Sequence, residues 1–162
     1  HRTSRRQRQM CIRDRIINYM KVAIGNDHAG TLFKSHIINY LKTKNIEVIN
    51  FGTNDSNSVD YPDFVHPVVN EVIDNKVDFG ILLCGTANGV AMTANKYKAI
   101  RAGICWNSNI ASLVRQHNNS NILCIPARFI KKEEINNIID AFINNDFEGG
   151  RHQKRIDKII IS

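Results

Sequence analysis

Cys84 ends the apolar run "DFGILLC" and is followed by Gly85, Thr86, Ala87, Asn88 and Gly89, all small or amide-bearing. A thiol at a strand tip beside bare backbone suits base or nucleophile chemistry, because the amides of such a turn are free to face an anion. Its place just before a helix N-terminus is expected to lower its pKa and favour the thiolate. Asp27 and His28 add a carboxylate and an imidazole, and His117 a second imidazole. Arg151 and Arg155, one helical turn apart, form a fork able to grip phosphate. Each has a plain structural explanation when taken singly. Cys84 fits a core thiol, Gly85 to Gly89 a tight turn with Thr86 as N-cap, and Asp27 a helix cap. His117 fits a helix end, and the arginines a solvated face. As a set they fit a nest for a small anion, such as an enediolate or carboxylate, beside a reactive thiol. No GxxxxGK[ST] or GxGxxG fingerprint is present, which argues against a nucleotide site. The six histidines form no HExxH or similar ligand pair, so no metal and no other cofactor is expected.

The elements that must position these residues follow from periodicity. Short apolar runs at 21–25, 47–52, 79–84, 100–105 and 121–126 read as five strands. Helical spacing separates them over 29–45, 61–75, the stretch after Cys84 through Lys96, 109–117 and 132–144, with a basic amphipathic helix at 151–161. Pro62 fits the first turn of its helix, whereas Pro67 predicts a kink or a late start. Strands alternating with helices imply right-handed βαβ units, a parallel five-stranded sheet and a Rossmann-like three-layer α/β/α sandwich with a C-terminal helix. Ligands in such sheets bind beyond the carboxyl ends of the strands. Asp27, His28, Cys84 and Thr86 all fall there, so they are expected to converge.

Composition narrows the class. The chain has 162 residues, 43% hydrophobic and 23% charged, ordinary values for one globular domain. No apolar run is long enough for a membrane helix. Four cysteines without CxxC spacing suit reduced thiols and a cytoplasmic protein. The net charge of +7 is concentrated in residues 1–19, where six Arg and one Asp give +5, leaving +2 for the remainder. This Arg-rich tail is read as a disordered or non-native leader, and residues 20–162 as a single domain. A phosphate-binding arm or a transit peptide are the other readings of the tail.

The motifs "GNDHAG", "DYPDF", "ILLCGTANGVAMTANK", "IRAGIC", "RQHNNSNIL" and "EGGRHQKRID" occur in the order and at the spacings of type B ribose-5-phosphate isomerases. From Met20 to about Ile159 the chain resembles that family, which also includes galactose- and allose-6-phosphate isomerases. The resemblance implies metal-free aldose–ketose isomerisation through a cis-enediolate, between ribose 5-phosphate and ribulose 5-phosphate in the pentose phosphate pathway. It implies Cys84 as the base, since the position of the glutamate used by some relatives is Val90 here. Amides from Gly85 through Ala87, Asn88 and Gly89 would hold the oxyanion, and Thr86 would assist proton exchange between O1 and O2. Asp27 and His117 match the ring-opening pair. His28, Arg128, Arg151 and Arg155 match the phosphate cradle, Tyr61 a pocket residue, and Asn118 a sugar contact. Ala87 departs from a glycine common in the family, which matters if that position needs positive φ. The family's site lies between two subunits, with the His117 region reaching a neighbour's Cys84, which implies a homodimer or a dimer of dimers.

Two other classes compete with the isomerase. A cysteine hydrolase would use Cys84 as nucleophile and His117 as base, leaving Arg151 and Arg155 unexplained. A nucleic-acid-binding module would rest on the basic tail alone. The isomerase reading, with no nucleic-acid or membrane partner, accounts for the thiol, the anion nest and the arginines together. Among phosphorylated sugars, "RQHNNSN" and "GGRHQKR" favour the pentose over the hexose phosphates.

Overall fold

The computed structural model describes residues 19–161. The Arg-rich tail, apart from Tyr19, therefore lies outside the described residues. Five strands, β1 (Lys21–Asn26), β2 (Glu47–Asn50), β3 (Phe79–Cys84), β4 (Ala102–Ile104) and β5 (Ile122–Pro126), form one sheet in the order β2-β1-β3-β5-β4. All four pairings are parallel, as the alternation of strand and helix predicts. Six α-helices accompany them: α1 (Thr31–Thr43), α2 (Pro62–Ile73), α3 (Asn88–Ala94), α4 (Ser108–Asn118), α5 (Lys132–Ile143) and α6 (Arg151–Ile156).

Apolar side chains divide cleanly between the two faces of the sheet. On one face Val22, Ile24, Ile81, Leu83, Leu123 and Ile125 pack with Ile37 and Leu41 of α1, Ala111 of α4, and Ile135, Ile138 and Phe142 of α5. On the other, Ala23, Leu82, Cys84, Ile122 and Cys124 pack with Val65, Val68 and Val69 of α2 and with Val90 and Ala94 of α3. This is the expected three-layer sandwich. Successive strand side chains point to opposite faces, so Leu83 joins one layer and Cys84 the other.

The strand order fixes where a site forms. From β1 the chain passes through α1 on one face to β2. From β3 it passes through α3 on the opposite face toward β4. β1 and β3 are adjacent, so the segments leaving their carboxyl ends diverge and open a crevice, the topological switch point of an open α/β sheet. Glycine is needed for the close approach around it. A Cβ on Gly30 would stand 2.6 Å from Leu83 Cβ, and one on Gly25 would stand 2.3 Å from the Phe64 carbonyl oxygen.

Two local expectations are corrected. Of the two expectations at Pro67 the late start is not met, since Pro67 lies inside α2, which runs from Pro62 to Ile73. The amide that Pro67 lacks would have bonded in the exposed first turn, while Val65, Val68, Val69 and Val72 anchor the opposite face. The C-terminal helix stops at Ile156 instead of continuing to residue 161. His152 and Ile156 face inward four residues apart, but Ile159, Ile160 and Ile161 are consecutive and cannot all share one helical stripe.

Candidate active site

Asp27 and Cys84 meet at the switch point. Leu83 pairs with Asn26 across β1 and β3, and the Asp27 amide donates to the Leu83 carbonyl at 3.2 Å. The two residues that follow these partners are thereby brought side by side. The Cys84 thiol donates to Asp27 Oδ2 at 2.9 Å, while Asp27 Oδ1 accepts from the Ala29 amide at 2.9 Å. Asp27 is thus both the cap of a single 3-10 turn (His28–Gly30) and the partner of the thiol. Both side chains are buried.

The thiol is not activated in the manner expected from its position. Burial pushes its pKa up to about 11, and the hydrogen bond and negative charge of Asp27 act in the same direction. The amides of Gly85 and Thr86 oppose this rise without overcoming it. The expected helix-terminus effect is therefore outweighed by burial first and by the Asp27 carboxylate second, and the helix itself begins only at Asn88.

The loop after Cys84 holds a strained residue. Ala87 has φ 62° and ψ −4°, the left-handed region, and is fully buried. The departure from glycine thus falls where positive φ is required. Ala87, not Thr86, is the N-cap of α3; Thr86 Oγ1 instead accepts from the Asn88 amide at 3.3 Å. Val90 is buried in the α3 core, so it offers no group to the site.

Several other expected residues gather around this loop. Arg128 follows β5, and its amide donates to the Gly85 carbonyl at 3.1 Å. Its side chain lies over Gly85, where an added Cβ would meet Arg128 Cδ at 3.2 Å and Nε at 3.4 Å. The Tyr61 ring covers Gly89 so closely that a Cβ there would stand 2.4 Å from its Cζ. His28 Nδ1 accepts from the Val59 amide at 3.4 Å. Asp27, His28, Tyr61, Cys84, Gly85 to Gly89 and Arg128 therefore share one end of the sheet.

His117, Asn118, Arg151 and Arg155 do not join them. No hydrogen bond, ion pair or ring contact among the described residues links the two sets. His117 lies in the last turn of α4, stacked on His152 of α6 with ring centroids 4.2 Å apart. Glu148 Oε2 stands 3.9 Å from His117 Nε2 and 3.5 Å from His152 Nε2. Burial holds His152 below the usual imidazole range, with His117 and Arg151 pushing in the same direction. Arg151 and Arg155 are exposed on α6. Asn118 instead lines a cleft of about 390 Å³ with Ile100, Ala102, Val114 and Ile159, at the β4 edge of the sheet.

Sequence reasoning passed over three contributors. Asn26 is buried, and its Nδ2 donates to the carbonyls of Asp27 at 2.7 Å and Thr53 at 3.2 Å, tying the segments after β1 and β2 together. Lys34 is also buried, bonded to the Thr53 carbonyl and to Asn54 Oδ1. An Asn directly before Asp27 at a strand end was the available signal for the first; the spacing of α1 gave none for the second. Glu148 is the third, and only the fold brings it to His117.

Comparison with known proteins agrees with this architecture. The family model Ribose/Galactose Isomerase matches residues 22–159. A probable ribose-5-phosphate isomerase B of Mycoplasma genitalium is 46% identical over 142 residues, covering 86% of this chain and 93% of the relative. The ribose-5-phosphate isomerase B of Escherichia coli is 41% identical over 139 residues, covering 86% and 93%. A crystal structure of a ribose 5-phosphate isomerase from Thermotoga maritima superposes with a TM-score of 0.85 at 47% identity, covering 88% of this chain and 98% of that one. That of ribose-5-phosphate isomerase B from Mycoplasma genitalium with bound ribulose-5-phosphate gives 0.83 at 45%, covering 87% and 94%. The fold is that of these α/β isomerases. The chain belongs to the Ribose/Galactose Isomerase family.

Proposed function

We propose that the chain interconverts ribose 5-phosphate and ribulose 5-phosphate through a cis-enediolate, with Cys84 moving the proton between C1 and C2. The observation that carries this reading is the Cys84 thiol held 2.9 Å from Asp27 at the switch point. The amides of Gly85 and Thr86 lie beside the sulfur, and in the transition state that run of amides through Gly89 would hold the oxyanion. The bound ribulose-5-phosphate named for the Mycoplasma genitalium structure supports the choice of a pentose.

Ring opening precedes proton transfer. Asp27 takes the O1 proton and His117 returns one to the ring oxygen. Once Asp27 is neutral its charge no longer opposes ionisation of Cys84, and the thiol proton passes to the imidazole of His117, which has just given up its own, so opening the sugar prepares the base for the next step. Thr86 then passes the proton between O1 and O2. Because His117 and Asn118 lie apart from Cys84 within one chain, the complete site is read as shared between two copies. Arg151 and Arg155 of one copy would reach the phosphate beside His28 and Arg128 of the other. In this reading residues 20–162 act as one domain, as a cytoplasmic homodimer or dimer of dimers in the pentose phosphate pathway.

The test is turnover of metal-free ribose 5-phosphate by the wild type and Cys84→Ala, alongside allose 6-phosphate and galactose 6-phosphate. A general base contributes roughly 10²–10⁴-fold, so Cys84→Ala should lose at least about 100-fold in kcat with substrate binding retained. Turnover of a hexose phosphate alone would keep the mechanism and change the substrate. Unchanged turnover in Cys84→Ala would remove the base.

A further inference from the structure

We propose that His117, Glu148 and His152 form a binding site for a single divalent transition-metal ion of the zinc class. None of the three is adjacent to another in sequence, and they come from the end of α4, the loop before α6 and α6 itself. Their ligand atoms lie within 4.8 Å of one another. A tetrahedron built from zinc bonds of about 2.1 Å separates neighbouring ligands by about 3.4 Å. The observed 3.5 and 3.9 Å from Glu148 Oε2 to the two imidazole nitrogens are close to that spacing. The stacked rings must open slightly for both nitrogens to point at one ion. His117 and Glu148 are the partly exposed members, at 38% and 52%, so the adjustment falls on them, while His152 is buried.

The donors are held in place by their surroundings. The Glu148 amide donates to the Gln116 carbonyl at 3.0 Å, fastening its loop to the last turn of α4. Asn145 accepts from Gln116 and donates to Ser112 and to the Ala141 carbonyl, fixing the start of the same loop. Gly149 and Gly150, at φ 68° and 57°, turn the chain so that Glu148 and His152 face each other. The carboxyl end of the eleven-residue α4 adds negative potential at His117. The exposed Arg151 and Arg155 beside the cluster oppose a cation and weaken its binding. Two histidines and one glutamate leave a fourth position to water, the ligand set of an open zinc site.

The ion and ring opening compete for the same imidazole. This consequence rests on the function proposed above, whereas metal binding itself does not. Occupancy would hold the His117 nitrogen and suppress turnover reversibly.

The experiment uses the full chain stripped with chelator, titrated with Zn²⁺ by calorimetry and with Co²⁺ by its visible absorption. Wild type and Cys84→Ser should each bind one ion per chain with tetrahedral cobalt bands, and Glu148→Gln should bind at least tenfold more weakly. Turnover should be inhibited by Zn²⁺ in the wild type, and Glu148→Gln should need at least tenfold more Zn²⁺ for half-inhibition, each protein being read against its own metal-free rate. His117→Asn, read by binding alone, provides a second variant at a partly exposed position. Binding equal in wild type, Glu148→Gln and His117→Asn, or lost in Cys84→Ser, overturns the site. Metal binding by a chain that turns over no sugar phosphate would overturn the function and leave the site standing.

Discussion

The Cys84 thiol and the Asp27 carboxylate, 57 positions apart in the chain, are joined by a 2.9 Å hydrogen bond in which sulfur is the donor. That direction matters. Burial first, and then a carboxylate that accepts from the thiol, stabilise the protonated form, so Cys84 rests neutral with its pKa pushed up to about 11. In the proposed mechanism base chemistry at this cysteine has to be switched on, and protonation of Asp27 would remove the part of the upward shift that burial does not cause.

Asp27→Asn removes both the charge and the anionic acceptor that raise the thiol. The pKa of Cys84 should fall from about 11 toward the ordinary value of 9.0, burial alone holding it above. Thiolate absorbance against pH checks this, with Cys84→Ser as the blank because buried Cys105 and Cys124 are also shifted upward. A midpoint unmoved by Asp27→Asn would deny the coupling. Wild-type turnover limited by thiolate formation should rise with pH through the neutral range.

At Ala87 two small terms oppose each other. A left-handed conformation costs an L residue about 1–2 kcal/mol, and burying one methyl returns about 0.8 kcal/mol. Ala87→Gly should therefore lie within about 1 kcal/mol of the wild type in denaturant unfolding. Ala87→Val adds a β-branched side chain at φ 62° in a fully buried position and should destabilise by about 2 kcal/mol or more.

Gly89 tests the contact with Tyr61. A methyl at Gly89 would stand 2.4 Å from the ring, so Gly89→Ala must displace it. The expected result is a KM for ribose 5-phosphate raised about tenfold, equivalent to about 1.4 kcal/mol, with the fold retained by circular dichroism. An unchanged KM would separate Tyr61 from the substrate pocket.

Arg151→Ala should act on binding. Loss of a charge-assisted phosphate contact worth about 1.5–3 kcal/mol predicts a KM increase of roughly 10- to 100-fold, with kcat less affected. Because Arg151 lies with the His117 set, mixing Arg151→Ala with Cys84→Ala should restore part of the activity if the site is shared between copies. No recovery in the mixture would place all the functional groups within one chain.

His117→Ala should impair the cyclic aldose more than the open-chain ketose, which needs no ring opening. Initial rates measured from both directions decide the matter, and equal losses would leave the ring-opening role unsupported.

The sheet was legible in the sequence because strand and helix periods alternate without interruption, and because parallel strands buried on both faces read as short apolar runs. "DFGILLC" gave β3 and its end, and Asp27-His28 gave the end of β1. The placement of ligands at the carboxyl ends of strands in open parallel sheets then put Asp27 and Cys84 at the same edge. Element ends were less legible. The consecutive isoleucines after Ile156 fit a basic amphipathic pattern, yet they leave the helix because only His152 and Ile156 have a buried surface to meet.

Charge state and long-range grouping came from the tertiary structure alone. A helix N-terminus after Cys84 is visible in the sequence and argues for a lowered pKa. The upward shift depends on the depth of burial and on a carboxylate delivered by a neighbouring strand, which no local spacing encodes. The same holds at the other group, where His117 and His152 stack only because α4 and α6 pack together, with Glu148 turned toward them by two glycines at positive φ. Sequence periodicity specifies which residues lie at an element's end. Which ends meet, and with what protonation, is decided by packing, since desolvation and Coulombic terms depend on distances through space and not along the chain.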